Sequence, residues 1–383
     1  MRFALITSHY PPATVACGVG DYTRCLRAAL EASGHECLVV TSTRSQSREP
    51  RVFAVAGRWG AADCLRAWRL LRRERPDAVI LQYTPELYGF GVAWKLLPGL
   101  LRWTQHGTVI VTTFHTLIGG RWIARPNAVL LAAGSHGLVS VHAELSGLFR
   151  RRLPWWSDKL AEIPIGANIP PPSIPRGESR ARVRRRFGLD PAAVVLGTFG
   201  FAAAGKGLDV LLQALPDLAD GPAAHLVCIG AVREEDRASR RELENLAQRL
   251  GVAQRVHWAG ELPAQETADL LAGVDAYVVP YDDGASLRRG TLMAGFQAGV
   301  PIVTTTPRYD DPCLRHGETL IVVPPRSPKV LAQALRDLLA DDRLQQRLRD
   351  GAAVVAGRFH WEEIARQHIE FVQGLRHREG CDS

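Results

Sequence analysis

Lysine is scarce in this chain. Only four of its 47 basic residues are lysines: Lys95, Lys159, Lys206 and Lys329. A lysine inside a glycine-rich loop therefore stands out. Long apolar runs are missing as well. The longest, Phe90 to Leu101, is broken by Lys95 and Pro98, short of the roughly 18–20 residues a membrane-spanning helix needs. Residues 1–10 lack the charged, then apolar, then small-residue plan of a secretory leader and read as a first β-strand. The seven cysteines (Cys17, Cys25, Cys37, Cys64, Cys228, Cys313 and Cys381) are odd in number and contain no Cys-x-x-Cys pair. That argues against a disulfide framework or a zinc site, and the simplest compartment is a reducing cytoplasm. No Asp-x-Asp metal motif is present. Asp282-Asp283 and Asp310-Asp311 are adjacent pairs in loops and read as turn residues.

The 383 residues, 46% of them hydrophobic, suit two α/β domains or one large one. The net charge of +8 is uneven. Residues 1–170 hold 20 Lys and Arg against 11 Asp and Glu, and residues 171–383 hold 27 against 28. A basic half favours anionic lipid, a phosphorylated substrate or nucleic acid, or is simply a solvated surface. No nucleic-acid recognition motif accompanies the charge, and nucleic acid is not expected as a partner.

Strands and helices alternate along the first half. RFALITS (2–8), HECLVVT (35–41), DAVILQ (77–82), TVIVTTF (108–114) and GLVSVH (137–142) are short apolar runs suited to buried parallel strands. Helical periodicity marks 21–32 and 61–75. Prolines crowd 163–175, IPIGANIPPPSIP, and read as a linker. The pattern then restarts, with strands over 194–200, 224–230, 256–260, 276–280 and 301–305. Helices are expected from Gly207, over 237–250 and 291–298, and at 328–339 and 342–358. This alternation predicts α/β architecture, two Rossmann-like halves with parallel sheets facing across a cleft.

Four motifs carry the chemistry. Gly18 and Gly20, in a loop before a helix at Asp21, either let the backbone approach a ligand or serve a tight turn for packing alone. His115 ends the strand VTTFHT and points into the cleft, as a hydrogen-bond donor to a sugar hydroxyl or as a structural histidine; His9 and His142 also lie at strand ends. GTFGFAAAGKG places Gly200, Phe201 and Lys206 in a glycine loop, where the cation suits an anionic ligand or is a solvated surface charge. Ser286-Leu287-Arg288-Arg289-Gly290-Thr291 stands before a helix and forms an anion site of guanidinium groups, hydroxyls and helix N-terminus; the alternative is a pair of exposed charges. Gln82, Tyr83, Thr84, Pro85 and Glu86 follow a strand and line the cleft. Behind them GFGVAWKLLPGLLRW either rests on a membrane surface or packs as a buried helix.

Together these segments resemble family 4 of the GT-B glycosyltransferases over nearly the whole chain. The resemblance implies residues 1–168 as the N-terminal, acceptor-side domain and 169–358 as the nucleotide-sugar domain. It implies a helix over 359–383 that crosses back to the first. It assigns His115 and Lys206 to catalysis. Gly18, Gly20, Gly200, Phe201, Lys206, Ser286, Arg288, Arg289, Gly290 and Thr291 fall to donor binding, and Asp21, Tyr83 and Glu86 to acceptor binding. Phe201 occupies a position where the family has an arginine. Ser286 and Ala294 occupy those of its paired glutamates. The implied reaction moves a sugar from a nucleotide-diphosphate sugar to a hydroxyl of a sugar, a lipid-linked or a small-molecule acceptor, in glycan, glycolipid or glycosylated-metabolite synthesis. It retains configuration and needs no metal and no cofactor beyond the sugar nucleotide. The missing glutamates leave a second reading, a nucleotide- or sugar-binding homologue without transfer activity.

Overall fold

A computed structural model describes residues 1–13, 17–88, 92–116, 124–167, 169–203, 205–218, 223–232, 234–287 and 289–380. The chain divides into two compact units, Met1–Gly166 with His360–Ser383, and Ala167–Phe359.

Seven parallel strands make the sheet of the first unit: β1 (Arg2–Ile6), β2 (Glu36–Ser42), β3 (Val52–Ala56), β4 (Ala78–Tyr83), β5 (Val109–Phe114), β6 (Gly137–Ser140) and β7 (Leu160–Glu162). Their order is β3-β2-β1-β4-β5-β6-β7. Its helices are α1 (Gly18–Ala32), α2 (Ala61–Glu74), α3 (Pro85–Tyr88), α4 (Leu97–Thr104), α5 (Ala124–Gly134) and α6 (Ala143–Arg152). β1, β4 and β5 are wholly or almost wholly buried, as central strands with helices on both faces must be. One core layer holds Leu71, Leu81, Tyr83, Trp94, Leu101, Phe114 and Phe149. The opposite layer holds Phe3, Tyr22, Leu26, Ile80 and Val111, with Ile364 and Val372 from the C-terminal helix.

The second unit repeats the design with six strands: β8 (Val194–Phe199), β9 (Ala224–Ile229), β10 (Val256–Gly260), β11 (Ala276–Val279), β12 (Ile302–Thr305) and β13 (Ile321–Val323). Their order is β10-β9-β8-β11-β12-β13. Its helices are α7 (Arg176–Arg186), α8 (Leu208–Ala214), α9 (Arg237–Arg249), α10 (Ala264–Ala272), α11 (Gly290–Gln297), α12 (Pro328–Ala340) and α13 (Asp342–Gly357). α14 (Trp361–Arg378) closes the chain in the first unit, packing on α1. In α7 the buried Arg184 pairs with Asp275 at 2.8 Å, and Asp275 also accepts from the Val195 amide at 2.8 Å. This ties α7 to the sheet through an ion pair whose carboxylate is further satisfied by hydrogen bonding.

Several elements depart from the sequence reading. Gly18 and Gly20 lie inside the first turn of α1, not in a loop before it. A Cβ on Gly20 would come 2.5 Å from the His9 carbonyl oxygen, so glycine there serves close packing of the helix on the end of β1. Of the two readings of GFGVAWKLLPGLLRW, the buried one describes Trp94 and Lys95, both wholly buried, with Trp94 stacked on Tyr88 at 3.9 Å. Trp103 is 77% exposed. The edge strands β3 and β7 and the helices α5, α6, α7 and α10 were not anticipated.

Candidate active site

Chemistry-bearing side chains gather at the carboxyl ends of both sheets, where α/β folds place their ligands. In the second unit the link from β8 to α8 turns on glycine. Gly200 has φ 124° and Gly207 φ 70°, regions that side-chain-bearing residues avoid. A Cβ on Gly207 would stand 1.9 Å from the Pro280 carbonyl oxygen, and one on Gly230 would stand 2.2 Å from that of Gly200. The loop can therefore lie against the ends of β11 and β9 only as glycine.

This packing brings Lys206 to Tyr281. The Lys206 ammonium lies 5.6 Å from the Tyr281 ring centroid, and the Arg289 guanidinium lies 4.2 Å from the same ring. Two cations thus share one aromatic platform. The Tyr281 hydroxyl is bonded to Thr291 Oγ1 at 2.7 Å, and the Tyr277 hydroxyl donates to the Thr291 carbonyl at 2.7 Å. Burial pushes the Tyr281 phenol up to about 12, so it stays neutral. Arg289 is the N-cap residue of α11 and pairs with Asp283. Asp282 pairs with Arg326 at 2.7 Å. The two aspartates sit in a turn, as expected. Beside the loop lies a shallow recess lined by Gly200, Phe201, Lys206, Gly230, Arg240, Trp258 and Tyr281. One wall is Arg240 stacked 3.4 Å over Trp258 and bonded to Glu244 at 2.8 and 3.0 Å.

At the corresponding end of the first unit the most deeply buried polar groups are neutral. His115 follows β5 and is buried. Its Nε2 is 2.7 Å from Gln82 Oε1, and its ring meets Tyr22 edge-on at 4.7 Å. Burial, reinforced by His368 and His142, pushes it down to about 3. His115 is thus a neutral imidazole whose one N–H is given to Gln82, leaving Nδ1 as an acceptor. The sequence reading expected a donor to sugar, and the geometry offers a lone pair instead. Tyr22 donates to His368 Nε2 at 3.4 Å, and His368 Nδ1 donates to the Ile364 carbonyl at 2.9 Å. Among the described residues, Gln82 Nε2 and His9 Nδ1 are buried without a hydrogen-bond partner. They lie on β4 and just past β1, strands that pair with each other. An orphaned buried donor is costly in a folded protein and marks a place for a ligand or solvent group.

The structure brings Gly200, Phe201, Lys206, Arg289 and Thr291 together, with Gly290 opening α11. Ser286 is half-buried and accepts from the Arg289 amide at 3.1 Å. Asp21 stands in the first turn of α1 and pairs with Arg24 at 3.5 Å. Tyr83 is a correction: it is wholly buried in the core, edge-on to Phe114 at 5.3 Å, and presents no surface to an acceptor. Gly18 is exposed on α1. Arg288 and the side chain of Glu86 lie outside the described residues. The wholly buried Ala294 belongs to the core. Tyr281, Arg240, Trp258, Tyr22 and His368 were missed. Tyr281 alone left a signal, an aromatic directly after Pro280 at a strand end.

Paired parallel sheets with their chemistry at the strand ends define a two-domain Rossmann-like α/β protein of the GT-B type. Residues 16–169 match Glycosyltransferase Family 4, and residues 191–341 match Glycosyl transferases group 1. The chain belongs to this family of glycosyltransferases. It is 29% identical over 224 residues to a D-inositol 3-phosphate glycosyltransferase of Corynebacterium urealyticum, covering 57% of this chain and 51% of the relative. The match thus spans about half the length of that relative. Among solved structures, a glycosyltransferase from Rickettsia africae superposes with a TM-score of 0.75 at 14% identity, covering 98% of each chain. HepE of Anabaena, solved with UDP and glucose, superposes with a TM-score of 0.74 at 15% identity, covering 98% of this chain and 100% of HepE.

Proposed function

We propose that the protein transfers a hexosyl group from a nucleotide-diphosphate sugar to an acceptor hydroxyl. The observation that carries this reading is the pair of cations, Lys206 and Arg289, gathered on Tyr281 beside a loop that only glycine can form. A nucleoside diphosphate gains negative charge as it departs, and fixed cations stabilise that charge more than the ground state. In the retaining course that family membership favours, the acceptor oxygen bonds to the anomeric carbon from the face the diphosphate leaves. The bond from that carbon to the diphosphate oxygen breaks with its electron pair. The hydroxyl proton passes to the departing oxygen. Lys206 and Arg289 hold the diphosphate, and the first turn of α11 adds N–H groups and the positive end of its dipole. In the first unit, the Nδ1 lone pair of neutral His115 suits a hydroxyl group.

HepE was solved with UDP and glucose, so UDP-sugars head the donors to screen. A phosphorylated polyol belongs among the acceptors, after the name of the Corynebacterium relative. A second reading rests on one observation. Residues 284–299 hold no carboxylate, and Ser286 and Ala294 stand where the family's glutamates are expected. That arrangement suits a nucleotide binder without transfer activity. Thermal-shift screening of nucleotide sugars followed by turnover with and without acceptors separates the two. Transfer or donor hydrolysis supports the first. Tight nucleotide binding with complete inertness toward every pair supports the second.

A further inference from the structure

The amino end of the first unit's sheet carries a surface that the transfer chemistry does not use. Helices and strands run antiparallel in this architecture, so each connecting segment returns to the amino end of the next strand. α2 leads into β4, α4 into β5, α5 into β6, and the short helical segment Pro154–Lys159 into β7. These four strands are consecutive neighbours. Their lead-ins form one row. The Trp68 indole donates to Thr104 Oγ1 at 2.9 Å, joining α2 to α4. Gly134 sits so close to α4 that a Cβ there would stand 2.5 Å from the Gly99 nitrogen. Lys159 donates to the carbonyls of Ala132 and Ser135 at 2.6 and 2.7 Å, joining the last segment to α5.

Two large aromatics project from this row. Trp103 is 77% exposed and Trp155 is 68% exposed. Arg150, Arg151 and Arg152 end α6 immediately before Trp155, and all three are exposed. Their side chains make no hydrogen bond or ion pair among the described residues, so all three guanidinium groups stand in solvent. Arg75 and His106 add exposed basic groups to the same edge. Of the carboxylates there, Glu74 is engaged by Arg51 and Arg73, Asp77 by Arg376, and Glu379 by Arg102, which leaves Asp158 exposed. Basic residues suit helix C-termini in general, but that effect explains neither three unpaired arginines in sequence nor two solvent-facing indoles beside them.

We infer that this edge docks on an anionic bilayer surface, with Arg150, Arg151 and Arg152 meeting lipid phosphates and Trp103 and Trp155 seated at the headgroup level. The complementarity is twofold. Indoles partition to the membrane interface because one end is apolar and the other donates a hydrogen bond, and arginines gain from the negative surface potential. The reading is independent of the transfer reaction, because attachment is measured without turnover.

Co-sedimentation of the full chain with vesicles tests it. One set is phosphatidylcholine alone, and the other contains about one third phosphatidylglycerol. Binding is expected to the anionic vesicles and to fall with added salt. Replacing Arg150, Arg151 and Arg152 together by Gln should lower that affinity about 100-fold, since each basic group at such a surface contributes roughly a factor of five. The double variant Trp103→Ala, Trp155→Ala should lower it about 10-fold, while thermal melting and nucleotide binding stay unchanged. Equal binding to both vesicle types overturns the inference. So does a tryptophan pair whose loss leaves vesicle affinity untouched, because the face is then merely a basic surface. Concentration-dependent self-association that disappears in the tryptophan variant would show that the face meets a second copy, and would also overturn it.

Discussion

The carboxyl ends of the two sheets solve different electrostatic problems. In the first unit the polar groups are neutral and buried: His115 on Gln82, and Tyr22 on His368. In the second they are cationic: Lys206 and Arg289 on Tyr281. Burial explains the first set, since desolvation pushes His115 down to about 3 and His368 down to about 4. The second set is half-exposed and held against an aromatic ring. Hydroxyl groups are met by hydrogen bonding without charge and a diphosphate by charge, so the two clusters suit different kinds of ligand group.

The sharpest way to break this comparison is the same substitution in each glycine motif. Gly207→Ala places a Cβ 1.9 Å from the Pro280 carbonyl oxygen at φ 70°. It should destabilise the second unit by about 4 kcal/mol or more and abolish nucleotide binding. Gly18→Ala meets nothing within 4 Å at the start of α1 and should be neutral or stabilising by up to about 1 kcal/mol. Urea melts of the two variants decide. Equal costs would mean that the glycine loop of the second unit is not dictated by close approach.

Acid should strike the first unit's half. His115 and His368 are held below the ordinary histidine value of 6.5, so the unfolded chain binds protons that the folded chain refuses. The stability they contribute is complete above about pH 6.5. It declines as pH falls toward 4 and then 3, by up to about 1.4 kcal/mol per pH unit for each histidine. Between pH 6.5 and 5 these two histidines should lower the unfolding free energy by about 3 kcal/mol together, and His115→Asn should remove about half of that share. A flat profile would show that the imidazoles are not buried neutral.

What the sequence disclosed and what it hid follow from physical range. Strands were legible because apolar runs of four to seven residues have one outcome in a chain that alternates. The place of Lys206 in a glycine loop was legible because lysine is rare and its neighbours are glycines. Tyr83 was misread because β4 is buried on both faces, so alternation gives no clue to which residue faces ligand. Gly20 was misread as loop punctuation because its reason, the His9 carbonyl, lies in another element. Tyr281 was hidden for the same reason. Its role comes from two cations, one of them on a loop some 75 residues earlier in the chain.

Lys206→Ala should reduce nucleotide-diphosphate affinity and turnover by about 100-fold, in the range seen when one fixed charge stabiliser is removed. Calorimetric titration with UDP and initial rates with a UDP-sugar measure the two effects. Unchanged values in both would remove Lys206 from the site.

The smallest effect probes Arg289. Its guanidinium is spent on Asp283, whose carboxylate is 46% exposed while the arginine side chain is only 16% exposed. A pair open to water on one side is worth about 0–1 kcal/mol, so Asp283 competes weakly with an incoming diphosphate. Asp283→Asn keeps the shape and deletes the competing charge. Diphosphate binding should tighten by about 2- to 5-fold at low ionic strength, and the gain should vanish at high salt, where exposed charges are screened. Arg289→Ala made alongside should lose affinity instead. If Asp283→Asn leaves affinity unchanged while Arg289→Ala weakens it, Arg289 reaches the ligand without giving up its carboxylate. If neither moves it, the cationic half of the comparison reduces to Lys206 alone.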